Sequence, residues 1–113
     1  MIRIAIPVVN GKLSQHFGHC HSFTLLDIDD AAGSVVARQN TPAPPHEPGA
    51  LPRWLAEQDV NLVVTGGMGN RARRLFSASG IEVVVGAPSG DPVEIAQAYL
   101  DGTLETTGNA CDH

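Results

Sequence analysis

Cysteine is scarce in this chain, with two residues in 113, too few for a disulfide scaffold. Basic charge is scarce too. Lys+Arg number 7 against 12 Asp+Glu, giving a net charge of −5 at pH 7. That balance argues against sequence-independent binding to nucleic-acid phosphates. No apolar run approaches the roughly 18 residues that a bilayer span needs, so no membrane partner is expected. The opening MIRIAIPVVNG has no basic n-region ahead of a long apolar stretch. It reads as a strand rather than a signal peptide, and the expected compartment is the reducing cytoplasm. Walker A, GxSxG and HExxH patterns are absent as well, as are internal repeats and low-complexity tracts.

What is present fits one globular domain spanning 1–113, at 42% hydrophobic and 17% charged residues, with a polar tail over 102–113. The run IRIAIPVV, residues 2–9, is apolar and rich in β-branched side chains, as expected of a strand covered on both faces. Asn10-Gly11 marks a turn. Strands are expected again over 22–29 and 34–40, antiparallel across a short turn. TPAPPHEPG, 41–49, holds four of the 8 prolines and reads as a stiff connector. A short helix follows, with Leu51, Trp54 and Leu55 on one stripe. The strand NLVV then runs into Gly66-Gly67, and a helix carries Ala72, Leu75, Phe76 and Ser79, stopped by Gly80. Next come the strand IEVVV and a last helix with Asp91 as N-cap, Pro92 at its first position and Gly102 at its end. Helix-length crossovers imply parallel pairing. The expected fold is therefore α/β, a five-stranded mixed sheet with helices on both faces.

The chemistry is concentrated. The chain has 5 histidines, and His16, His19 and His21 crowd around Cys20. Imidazole and thiolate suit zinc, iron, copper(I) or an iron–sulfur-type cluster far better than magnesium or calcium. If a strand begins near residue 20, Cys20 and His21 point to opposite faces, whereas His16 and His19 can meet one centre. The plain alternative is a polar loop whose histidines bond to backbone carbonyls. Cys111-Asp112-His113 repeats the same ligand chemistry at the far end of the chain.

Ligands of open α/β sheets bind beyond the carboxyl ends of the parallel strands. The loop holding His16–His21, the turn Gly66-Gly67-Met68-Gly69 and the loop 86–90 are expected to gather there. The last helix leads away from that edge for about 15 Å. Residues 103–113, when extended, reach roughly 33 Å, so Cys111 and His113 have chain enough to return.

Gly67-x-Gly69-x-x-Ala72 matches the loose dinucleotide fingerprint but follows the fourth strand, with no acid at the end of the next, so NAD is disfavoured. The smaller expectation is an anion-binding lip formed by Gly66, Gly67, Met68 and Gly69, with Arg71 beside it. Asp27, Asp29 and Asp30 cluster at the opposite edge and read as a solvated turn, not a two-metal site. A nucleophilic Cys20 paired with a neighbouring histidine is disfavoured because sequence neighbours diverge.

Ile4-Ala5-Ile6-Pro7, Ser14-x-His16-Phe17-Gly18, Gly66-Gly67-Met68-Gly69-x-x-Ala72 and Gly80-Ile81-Glu82-Val83 occur in this order. Together they resemble the dinitrogenase iron–molybdenum cofactor biosynthesis family, over nearly the whole chain. His46-Glu47-Pro48-Gly49, His19-Cys20 and the Cys111-Asp112-His113 ending resemble one stand-alone branch of it. The resemblance implies a ribonuclease-H-like fold and non-catalytic binding of iron–molybdenum cofactor or an iron–sulfur-type precursor, for assembly, storage or transfer. It places the family's metal-associated histidine at His16. The remaining metal candidates, Cys20, His19, Cys111 and His113, rest on ligand chemistry. The expected partners are the cluster and the proteins that donate or receive it. The competing expectation is an interaction or regulatory module with structural zinc or no metal.

Overall fold

The structure, a computed structural model, describes residues 2–14, 22–43 and 50–106. The apolar run at the start becomes the central strand β1 (Ile2–Val9). Asn10 and Gly11 both take positive φ, 55° and 79°, the conformation of a two-residue hairpin turn whose twist matches the strands it joins. The chain therefore folds straight back as β2 (Lys12–Leu13), paired Val8 to Leu13 and Val9 to Lys12. This short strand corrects the expected count. Among the described residues the sheet has six strands, not five.

β3 (Ser22–Asp29) runs antiparallel to β1, and β4 (Ser34–Pro42) antiparallel to β3. The connector expected from residue 41 is in its first two residues the end of β4. Proline is tolerated there because β4 is an edge strand, where the missing N–H removes no ladder bond. After α1 (Ala50–Glu57) comes β5 (Leu62–Val64), parallel to β1. After α2 (Asn70–Ala78) comes β6 (Glu82–Val84), parallel to β5, and α3 (Pro92–Asp101) closes the described fold. The sheet order is β4-β3-β1-β5-β6, with β2 attached to β1.

Alternation along β1 divides the core in two. Ala5 joins Phe23, Leu25 and Val63 beneath α1 and α2, which contribute Leu51, Leu55 and Phe76. On that face the Phe23 ring tilts against Trp54, with centroids 5.6 Å apart. Ile4, Ile6 and Val8 face the other way, with Leu26 and Ile28, onto Ile95 and Ala96 of α3. Helices thus cover both faces. The signals read for α3 hold in detail. The Asp91 carboxylate accepts from Val93 N (2.8 Å) and Glu94 N (3.4 Å), Pro92 opens the helix, and Gly102 ends it at φ 74°.

At the end of the sheet where β1 begins, Arg3 ties three segments together. Its Nε donates to Asp27 Oδ1 of β3 at 2.7 Å, and its Nη1 donates to the Gln58 carbonyl beyond α1 at 2.7 Å. The Asp27 hydrogen bond holds the guanidinium above its usual pKa, against the opposing effect of burial and with help from the Asp27 and Asp59 charges. A raised folded value contributes stability at every pH below the arginine range and loses it only above, so no neutral-pH dependence arises here. Arg3→Met keeps the stem and removes the fork. With both side chains 30% exposed, the expected loss is about 1–2 kcal/mol by urea denaturation. An unchanged midpoint would show that this clamp adds nothing.

Candidate functional site

Three loops meet beyond the carboxyl ends of β1, β5 and β6, and their backbones are fastened to one another. After β2, Leu13 N donates to the Gly90 carbonyl at 2.9 Å and Ser14 N to the Pro7 carbonyl at 2.8 Å. The Ser14 carbonyl accepts from Gly66 N at 3.3 Å and, at a longer 3.4 Å, from the hydroxyl of Thr65. Gly86 N donates to the Gly66 carbonyl at 2.9 Å, joining the loops after β5 and β6. Ser89 Oγ completes the set with a 3.4 Å bond to the Leu13 carbonyl. Ser14 and Thr65 are buried at this junction, so the bonds form largely out of water, where an unmade one is costly.

The described residues on either side of segment 15–21 are both fixed. Ser14 is held against the loop after β5 and Leu13 against the loop after β6, and Ser22 pairs with Val8 at the end of β1 and with Pro42 at the end of β4. Pro42 thus ends β4 at the same end of the sheet. His16, His19, Cys20 and His21, together with His46, Cys111 and His113, lie outside the described residues. Among the described residues no group of three His, Cys, Asp or Glu side chains is placed to hold a metal ion.

The glycine turn is described in full. Gly66, Gly67 and Met68 are buried, and Gly69 and Asn70 are exposed. Met68 sends its side chain into the core with Phe76, so what it offers at this edge is backbone, not thioether. Gly69 is the N-cap of α2, extended at φ −66°, with no side-chain capping bond. The first N–H groups of the helix have no intrahelical acceptor. Arg71, Arg73 and Arg74 follow with no acid in the first turn, cations at the positive end of a helix dipole, an arrangement that an anion relieves. Arg71 is exposed one residue inside the helix.

The chain beyond α3 turns back. Thr103 N and Leu104 N both donate to the Ala98 carbonyl, at 2.9 and 3.1 Å. Leu104 packs against the α3 face of the core. Thr103, Leu104 and Glu105 line a groove of ≈ 340 Å³ together with Ser89, Gly90 and Asp91. The start of the tail is therefore laid alongside the loop after β6. The acids at the opposite edge are engaged structurally. Asp27 pairs with Arg3, and Asp29 Oδ1 accepts from Ala31 N and Ala32 N. Reading the sequence did not single out Thr65 or Ser89. A hydroxyl next to a glycine turn is the only signal either carries.

Fold and edge together define a single α/β domain whose loops converge on an open end of the sheet. The family model described as "Dinitrogenase iron-molybdenum cofactor" matches residues 1–102, and the chain belongs to that family. The uncharacterized protein MJ0580 of Methanocaldococcus jannaschii is 28% identical over 108 residues, covering 93% of this chain and 91% of its own length. The crystal structure of PH0822 superposes at a TM-score of 0.88 with 29% identity, covering 99% of this chain and 100% of that one. The apo form of the orange protein from Desulfovibrio gigas shares the fold at a TM-score of 0.66 and 23% identity, over 96% and 95% of the two chains. No helix among the described residues is long and apolar enough to cross a membrane.

Proposed function

We propose that this protein is a non-catalytic carrier for an iron–molybdenum-type or iron–sulfur cluster, serving its assembly, storage or transfer in the cytoplasm. The observation that carries the reading is the fastening of Ser14 to the loop after β5 and of its neighbour Leu13 to the loop after β6. It supports the reading because the residues just ahead of the segment richest in soft ligands are held at the edge where open α/β sheets bind. In this reading His16, His19 and Cys20 are ligands, and Cys111 and His113 close over the cargo. The returning course of residues 103–105 supports that closure. The backbone of Gly66–Gly69, with Arg71, faces the anionic cluster. Exposed soft ligands suit a cargo that must be released to a recipient protein, which a closed tetrahedral cage does not. The ribonuclease-H-like assignment belongs to the same proposal. It is supported by the strand order with β3 antiparallel to β1 and by the crossovers through α1 and α2.

The test is anaerobic purification without tag or added metal, followed by elemental analysis and a visible spectrum. Iron with sulfide, or molybdenum, is the expected result. Stoichiometric zinc in a colourless protein whose melting temperature falls on chelation would replace this reading with a structural zinc site.

The lip has its own test. A Cβ at Gly69 meets nothing within 4 Å, and its φ suits any residue, so Gly69→Asp supplies the missing cap. The fold is expected to gain about 0.3–1 kcal/mol in urea denaturation. The new carboxylate also occupies the N–H groups and repels an anion, so cluster retention should fall. A stabilised variant that keeps its full cluster load removes the lip from the site.

A further inference from the structure

The two sheet edges are guarded differently. β4 is long, but its register with β3 shifts at Asp27/Ile28, leaving Val36 out of register and 53% exposed, and it ends in Pro42. Bulges and prolines are common means of blunting an edge. β6 has neither. Its hydrogen bonds to the β5 side come from alternate residues: Glu82 N donates to the Asn61 carbonyl, the Val84 carbonyl accepts from Thr65 N, and Gly86 N donates to the Gly66 carbonyl. In a parallel ladder the intervening residues then turn their N–H and C=O outward. Val83 and Val85 are those residues, and among the described residues no strand pairs that side. Val83, Val84 and Val85 are half-buried where a central strand would be covered.

Along this edge runs a groove of ≈ 880 Å³ lined by Asn70, Arg73, Arg74 and Ser77 of α2, by Gly80 and Ile81, and by Glu82 and Val83 of β6, so that two arginines face one acid. On a chain of net charge −5, α2 carries three arginines and no acidic residue. That charge decides between occupants. Two copies joined antiparallel through β6, about a two-fold normal to the sheet, would keep both α2 helices on one face of the continuous sheet, setting Arg73 and Arg74 of each copy against the other's. An acidic strand is attracted where a second copy is repelled. We propose that the outer edge of β6, with the arginine face of α2, receives an extended acidic segment of a partner protein as an added strand. Main-chain bonds to Val83 and Val85 supply the pairing. Arg73 and Arg74 select the charge. This surface does not depend on the metal reading.

The probe is an end-blocked, fluorescein-labelled peptide of alternating glutamate and valine, about eight residues long to match an ordinary strand, compared with its lysine–valine counterpart. Saturable anisotropy is expected for the acidic peptide alone, weakening with salt and protecting the Val83 and Val85 amides from hydrogen exchange. Arg73→Glu with Arg74→Glu should weaken it about tenfold. Val83→Pro removes one outward N–H, is tolerable at an edge, and should abolish it; if that variant fails to fold, the charge reversal decides alone. The proposal is overturned by equal binding of both peptides, by no binding, by protection at β4 instead of β6, or by a dimer in sedimentation that Val83→Pro dissociates.

Discussion

Changing His16 to alanine and Cys20 to serine in one protein is expected to abolish cluster retention while leaving the fold in place. Among the described residues, the side chains that fill both faces of the sheet are the apolar residues of its strands, helices and loops. The double substitution replaces none of them. The metal-free variant should therefore melt within about 2 °C of metal-free wild type. Iron or molybdenum content after anaerobic purification should fall to background. The same variant separates a carried cluster from structural zinc. A structural ion couples its binding to folding, so wild type stripped by a chelator would lose several degrees of melting temperature and the variant would start from that lower value. Undiminished metal in the double variant sinks the ligand assignment. Loss of metal together with loss of folding would move these residues from cargo binding to structure.

The candidate ligands of the proposed site are named in the sequence, and the geometry of the residues that frame it was not legible there. Three histidines around one cysteine announce a soft-metal preference without coordinates, because ligand type alone carries it. Nothing in the same letters says that Ser14 is bonded to Gly66 and Thr65, residues some fifty positions away. Those bonds exist because β1 and β5 lie side by side, and a contact of that kind follows from topology rather than from any local pattern. Met68 shows what a local pattern leaves unsaid. A run of glycines at a helix start suggests an open lip, yet the apolar side chain among them turns inward to Phe76. Burial of a large thioether outweighs the pattern around it.

The fold followed the same division. Long apolar runs bounded by glycine gave β1, β5 and β6, and Asp91-Pro92 with Gly102 marked both ends of α3 because capping is local chemistry. β2 was missed because two residues have no periodicity. Its evidence was the Asn10-Gly11 pair, a hairpin signal in its own right. The end of β4 was missed because Pro42 argues against a strand in general and not against the edge of a sheet.

The largest loss of stability is expected from Phe76→Ala. Phe76 is the one buried residue of α2; Ala72 is half-buried, and Leu75 is 38% exposed although it shares the same helical stripe. Removing the ring leaves a cavity in the core cluster that includes Met68, Ile81 and Val63 and takes from the helix its one buried apolar side chain. A buried aromatic cut to alanine costs about 3–5 kcal/mol, much of the roughly 5–15 kcal/mol that holds a domain together. The melting temperature should fall by roughly 10–20 °C. Leu75→Ala, one position earlier, should cost less than about 1 kcal/mol. The contrast makes the prediction sharp, since both changes remove a large apolar side chain from neighbouring positions of one nine-residue helix. Equal urea midpoints for the two variants would mean that α2 is held by its ends rather than by its ring. In the expected case the loss reaches the site as well. The glycine turn keeps its course because α2 is pinned behind it, so amide exchange at Gly67 and Gly69 should quicken in Phe76→Ala beyond the change in global stability and stay unaltered in Leu75→Ala.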